Sequence, residues 1–163
     1  MDVFDSELLN FWNSLNKQRV KYIMIGGVAT NFNGYQRTTA DIDVWLKDTK
    51  INRENFRKAF ENYSGENYQM LKTIQIVPGW TYLYLNNGYR IDLISQMKGL
   101  EGYTFEQCLK FAGTAEIDAI KVPFLHINHL IANKKAVNRP KDQIDVIELE
   151  RIKKILEEQA GNR

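Results

Sequence analysis

The sequence predicts an α+β fold: a mixed β-sheet flanked by helices, with further helices at the C-terminal end. Three observations lead there. Helix and strand signals alternate through the first third of the chain. Asn86-Asn87-Gly88 then joins two apolar runs, a strong hairpin signal. From Asn128 onward the spacing is helical, with a break at Asn138-Arg139-Pro140.

The elements follow in order. Asp5 or Ser6 caps a first helix, in which Leu8, Leu9, Trp12 and Leu15 recur at helical spacing. Val20 to Ile25 is a β-branched and aromatic run, read as a buried strand ending at Gly26-Gly27. Val28 to Phe32 opens a short helix that Asn33-Gly34 ends. Thr39 to Leu46 is the second strand. Arg53 to Tyr63 is helical, with Phe56, Ala59, Phe60 and Tyr63 on one stripe.

The middle reads as antiparallel sheet: Tyr68 to Val77, Trp80 to Leu85 and Tyr89 to Ile94. Thr104 to Phe111 is a short helix and Ala119 to Leu125 a last strand. Helices then cover His129 to Val137 and Gln143 to Gln159. The whole, residues 1–163, is expected to form one domain, with an α/β core over 1–125 and a helical part over 126–163.

Composition narrows the function classes. Of the 163 residues, 44% are hydrophobic and 12% aromatic, too many for a disordered chain. A net charge of +2 disfavours a polynucleotide binder that relies on a broad basic face. The lone Cys108 excludes a disulfide framework and fits a reducing cytosol. Neither a signal peptide nor a membrane span is expected, so the location read from the sequence is cytoplasmic.

Asp41-Ile42-Asp43 is the most informative motif. Carboxylates one residue apart on a strand project from the same face, while Ile42 and Val44 point the other way. Like charges held so close repel unless a cation lies between them. A hard divalent ion with oxygen ligands, such as Mg²⁺ on a nucleotide's phosphates, suits the pair. Asp92 lies in a later apolar run and also needs a partner; Arg90, two residues away on the same face, competes with a metal for it. Gly26-Gly27 at a strand-to-helix turn allows close approach of an anion. Arg37, Thr38 and Thr39 offer a cation and two hydroxyls to phosphate oxygens.

Gly26-Gly27, 13 intervening residues, Asp41-Ile42-Asp43-Val44 and the later strand acid Asp92 together resemble the DNA polymerase β-type nucleotidyltransferase superfamily. Residues 22–46 carry most of the match. Leu130-Ile131-Ala132-Asn133-Lys134 and Asn138-Arg139-Pro140-Lys141-Asp142 resemble the C-terminal helical motif of its small bacterial members. Those include relatives of antibiotic nucleotidyltransferases and of nucleotidyltransferase-like toxins from type IV toxin–antitoxin systems.

The resemblance implies the nucleotidyltransferase fold and transfer of a nucleoside monophosphate from an NTP to a hydroxyl acceptor. It implies Asp41, Asp43 and Asp92 as ligands of two Mg²⁺ ions, with Asp92 as general base. It further implies Gly26 and Gly27 as a triphosphate cradle, Lys134 and Arg139 as phosphate contacts, and Asp142 as the residue orienting them. The acceptor is left open between a small molecule, a protein side chain and a tRNA end, with polynucleotide not favoured.

Two other readings stand beside it. One is a non-catalytic or regulatory subunit of a toxin–antitoxin pair, with a protein partner. The other is a two-metal phosphohydrolase or nuclease, against which the Gly-Gly turn counts. His126 and His129 are not expected to bind zinc, and Cys108 is expected in the core. Ile144, Ile147, Ile152, Ile155 and Leu156 are expected to pack into the core, with a homodimer seam as the sharper alternative.

Overall fold

The computed structural model describes Asp2 and residues 5–162. Helix α1 (Ser6–Lys17) starts where the Asp5 carboxylate accepts from the Glu7 and Leu8 amides, and buries Leu8, Phe11, Trp12 and Leu15. Each such side chain contributes about 1.5–3 kcal/mol of transfer free energy. Strand β1 (Tyr22–Ile25) is buried throughout and turns directly into α2 (Gly26–Phe32). Strand β2 (Ile42–Leu46) and α3 (Lys50–Ser64) follow, the latter capped by Thr49 and stopped by left-handed Gly65.

The hairpin predicted around Asn86-Asn87-Gly88 is β3 (Tyr82–Tyr84) paired antiparallel with β4 (Arg90–Ile94). Helix α4 (Phe105–Phe111) carries a capping box between Thr104 and Gln107. Strands β5 (Gly113–Ile117) and β6 (Ile120–Phe124) lead into α5 (Ile127–Val137) and α6 (Pro140–Gly161).

The six strands form one mixed sheet in the order β3-β4-β2-β1-β6-β5. Strand β2 is antiparallel to β1 and parallel to β4, and β1 runs parallel to β6. The alternation of side chains divides the core in two. Tyr22, Met24, Ile42, Val44, Leu46, Ile91 and Leu93 face α1 and α3. Ile23, Ile25 and Trp45 face α4, α5 and Leu149 of α6. Both fold class and layer order agree with the sequence reading.

Two expectations are corrected. The segment 68–77 is not a strand: Gln69–Lys72 is a 3-10 turn and the rest is irregular. The Arg53 guanidinium donates to the carbonyls of Leu71 (3.3 Å) and Ile74 (2.6 Å), consuming acceptors that a ladder would use. Strand β5 was not foreseen. On α6 the expected core face is corrected in part: Ile152 packs against the core, but Asp142, Asp145 and Leu149 are the buried residues, while Ile144 and Ile147 are exposed, Ile147 to 65%. Ile155 and Leu156 are exposed as well. Among the described residues, no helix is long and apolar enough to cross a membrane.

Candidate active site

Sheet register gathers the acids. Asp43 on β2 pairs directly with Asp92 on the parallel neighbour β4, so both project from the face opposite Ile42, Val44, Ile91 and Leu93. Asp41 lies one residue before β2 begins and is exposed. Asp43 is half-buried, and no hydrogen bond from another described residue reaches its carboxylate. Burial, then the charges of Asp92 and Asp41, raise its pKa above the usual carboxylate value; Lys141 and Arg139 pull against that rise.

Asp92 has the partner that competes with a metal for it. Arg90 Nη2 donates to Asp92 Oδ1 at 2.6 Å, and that guanidinium also lies over the Tyr82 ring, 4.2 Å from its centroid. No bond among the described residues engages Asp92 Oδ2.

The glycine corner is built against this pair. Gly26 has φ +62°, and Thr30 Oγ1 donates back to its carbonyl at 2.9 Å. A Cβ on Gly26 would lie 2.7 Å from Asp43 Cγ and closer still to Oδ2. Only glycine combines this backbone with this neighbour. A Cβ on Gly27 would fall 2.7 Å from Thr39 Cβ and 3.3 Å from Arg37 Nη1. Arg37 and Thr39 therefore border the corner, whereas Thr38 is exposed and makes no side-chain bond among the described residues.

Gly26→Ala should lower both stability, by about 1–3 kcal/mol, and transfer, by more than about tenfold. Gly65→Ala carries the same backbone strain at φ +79° with nothing within 4 Å, and should lose stability but keep transfer. Thermal melts and labelled-nucleotide assays on the two variants separate strain from the clash with Asp43.

The basic residues differ in their placement: Lys134 is sealed beneath α6, while the Arg139 side chain is half exposed and its charge reaches Asp43. Lys134 is only 3% exposed, and its ammonium donates to Asp145 Oδ2 at 2.6 Å, with Asp142 Oδ1 at 3.6 Å. Arg37 makes a bidentate pair with the same Asp145, Nε to Oδ1 at 2.7 Å and Nη2 to Oδ2 at 2.9 Å. Arg139 makes its own with Asp142, at 2.7 and 3.1 Å. Burial alone would raise Asp142, but the hydrogen bonds from Arg139 and the charges of Arg139 and Lys134 hold its pKa below the usual value.

Lys134 thus joins α5 to α6 instead of facing the open site, and Asp142 does hold the Lys134–Arg139 pair together. Sequence reasoning missed Asp145, Lys141 and Asn31. Asn31 clamps the Arg37 backbone, accepting from its amide and donating to its carbonyl, each at 3.0 Å. The available signal for Asp145 was an acid three residues after Asp142, on the helix face that docks.

Among the described residues, no three His, Cys, Asp or Glu side chains are arranged to hold an ion by themselves. The donor set still fits a Mg²⁺–nucleotide, which needs one or two carboxylates because phosphates and water supply the other oxygens. Among the described residues no hydrogen bond or ion pair engages the Asp41 or Asp43 carboxylate, and Asp43 carries the like-charge stress that a cation relieves. His126 instead caps α5, accepting from the Asn128 amide at 3.2 Å, and His129 packs between Tyr103 and Phe111. Burial lowers the pKa of both imidazoles. Cys108 is buried.

A family model described as "Nucleotidyl transferase of unknown function (DUF2204)" matches residues 5–162. No curated protein matches the chain. Three solved structures share the fold, each at 16% identity. The lincomycin-bound lincosamide antibiotic adenylyltransferase LnuA has a TM-score of 0.57, over 91% of this chain and 97% of that one. A candidate nucleotidyltransferase from Thermotoga maritima has 0.54, over 96% and 91%. An antigenic nucleotidyltransferase-like protein from Paracoccidioides brasiliensis has 0.50, over 88% and 72%.

Proposed function

The chain belongs to this nucleotidyl transferase family and is a nucleotidyltransferase; from that premise we propose that it moves a nucleoside monophosphate from Mg²⁺–NTP to a hydroxyl acceptor. The observation that carries the reading is Asp43, half-buried, with no hydrogen bond to its carboxylate among the described residues, pressed by the charges of Asp92 and Asp41 and seated on Gly26.

In this reading Asp41 and Asp43 hold the Mg²⁺ that accompanies the triphosphate. The bound ion supplies charge stabilisation for the attacking and leaving oxygens of an in-line displacement. The acceptor oxygen forms its bond to the α-phosphorus as the bond to the β-phosphate oxygen breaks, and pyrophosphate leaves. The hydroxyl proton passes to Asp92 Oδ2, while Oδ1 stays fixed by Arg90. Gly26 and Gly27 leave room for the phosphates beside the sheet, and Arg37, held by Asp145 and Asn31, presents a cation at the same corner.

The lincosamide adenylyltransferase among the fold neighbours acts on an antibiotic. That supports a small molecule as one acceptor class, alongside a protein side chain or a tRNA end.

Labelled NTPs, Mg²⁺ and fractionated cell extract test the reading. Label should move to an acceptor in the wild type with release of pyrophosphate. Hydrolysis of NTP to free NMP without any labelled product would replace transfer by phosphohydrolase chemistry. Mg²⁺–NTP at 100 times its dissociation constant should stabilise the fold by about 2.7 kcal/mol, a rise of several degrees in Tm, and an Asp41→Asn variant should lose most of that rise.

The alternative reading, a regulatory toxin–antitoxin subunit, has one feature in its favour: the exposed Ile144, Ile147, Ile155 and Leu156 on α6. A partner co-purifying from the native cell and lost on Ile147→Glu would support it.

A further inference from the structure

On the face of the sheet that carries the acids, Ile23 and Ile25 of β1 and Trp45 of β2 pack beneath α4, α5 and α6, whereas Tyr82 and Tyr84 of β3 are exposed. Tyr82 pairs in register with Asp92, and Tyr84 with Arg90, so both tyrosines share the face of Asp43 and Asp92. Tyr82 and Tyr84 stand edge to face, 5.5 Å between centroids, and both are exposed. Trp80, just before β3, is 82% exposed, and the carbonyl of its neighbour Gly79 accepts from Arg90 Nη2. Three large rings in water beside a reactive row are costly unless something covers them.

We propose that Trp80, Tyr82 and Tyr84 form the acceptor subsite, a stacking platform for a small, uncharged, ring-bearing hydroxyl compound of glycoside or nucleoside type. The inference rests on the transferase reading above and deepens it. Three observations select this occupant. Adjacent strands lie about 4.8 Å apart, so the Asp43–Asp92–Tyr82 row puts the platform one strand from Asp92 and about 10 Å from Asp43. Arg90 already covers one face of Tyr82, so a ring lying against Tyr84 and the exposed edge of Tyr82 brings its own hydroxyl toward Asp92 Oδ2, whereas a bulky partner lying flat along β3 would not.

The second observation is charge. Arg90, the cation within the platform, is already paired with Asp92 and stacked on Tyr82, so it is not free to meet the phosphates of a polyanion. The third is the chemistry of the surface: aromatic faces hold the apolar face of a ring, and the neighbouring polar groups take its hydroxyls. Two hollows among the described residues lie in other parts of the molecule, one beside His126 and Leu156 and one beside Lys21 and Phe105. They compete poorly as acceptor sites, because neither touches the acids.

Trp12 and Trp45 are buried, so acrylamide quenching of fluorescence in the full chain reports mainly on Trp80. The probes are three fractions of a cell extract: small molecules, total RNA and protein. The small-molecule fraction should protect Trp80 from quenching, and Tyr84→Ala should weaken that protection about tenfold. In parallel, Trp80→Ala/Tyr84→Ala should transfer label at least about tenfold more slowly with its binding of labelled NTP unchanged.

No protection by small molecules, protection by the RNA or protein fraction instead, or wild-type transfer rates in the double variant would each overturn the platform. Loss of NTP binding in the wild type would instead defeat the transferase reading and leave the quenching result to judge the platform alone.

Discussion

Asp43→Asn is expected to reduce nucleotidyl transfer on the order of a thousandfold while making the metal-free protein more stable. Burial and the neighbouring charges of Asp92 and Asp41 raise the Asp43 pKa above its ordinary value of 3.8. Between that value and the raised one, the folded state binds more protons than the unfolded state. Stability therefore falls as pH rises through this window, and the deficit persists at neutral pH. Asparagine removes the charge and with it the deficit.

The variant should melt higher than wild type at neutral pH, and the gain should vanish below the ordinary carboxylate range. Saturating Mg²⁺–NTP should reverse the order by stabilising the wild type alone. Scanning melts across pH, with and without the nucleotide, check both signs. A variant less stable than wild type throughout would show that Asp43 contributes to the fold instead of straining it.

The second large effect concerns the buried network joining α5 and α6 to the glycine corner. Arg37, Lys134 and Arg139 supply three positive charges against the two of Asp142 and Asp145, a net of +1. Asp145→Ala leaves +2 and strips Lys134, 3% exposed, of its 2.6 Å partner. Removing one member of a buried pair costs about 3–5 kcal/mol, which for a chain of this length lowers Tm on the order of 10 °C. Lys134→Met leaves two positive charges facing two negative ones, each carboxylate still holding an arginine, and should cost clearly less. Chemical denaturation of the two variants decides the matter. Equal losses would mean that packing, not charge balance, sets the strength of this junction.

Much of the site was legible because strand geometry is rigid. One-residue spacing in Asp41-Ile42-Asp43 and the apolar flanks of Asp92 fix which way those side chains point, once β2 and β4 are placed side by side. The glycine corner was legible because few residues tolerate the backbone of Gly26.

Helical segments were read less well. Lys134 and Arg139 have the composition of a solvated face, and nothing in the spacing reveals that Lys134 is sealed beneath α6. The Ile144 and Ile147 side chains resemble core residues, yet the charged network of Asp142 and Asp145 decides which face of α6 docks. Strand β5 was missed because Gly113-Thr114-Ala115-Glu116-Ile117 alternates with small residues on its inner face, and only Ile117 is both large and buried. Its hairpin also turns on Asp118-Ala119, both at positive φ, where Asn-Gly is the usual signal. The segment 68–77 was misread because its apolar residues anchor singly, Leu71 and Ile76 into the core beneath, while Arg53 takes the backbone acceptors.

Binding of Mn²⁺ with a non-hydrolysable NTP, followed by electron paramagnetic resonance, addresses the proposed metal site without relying on turnover. The wild type should hold the ion, Asp43→Asn should release it, and Asp92→Asn, at a residue whose Oδ1 is held by Arg90, should retain most of it. Undiminished Mn²⁺ binding by Asp43→Asn would contradict the assignment of this strand pair as the carrier of the nucleotide's metal.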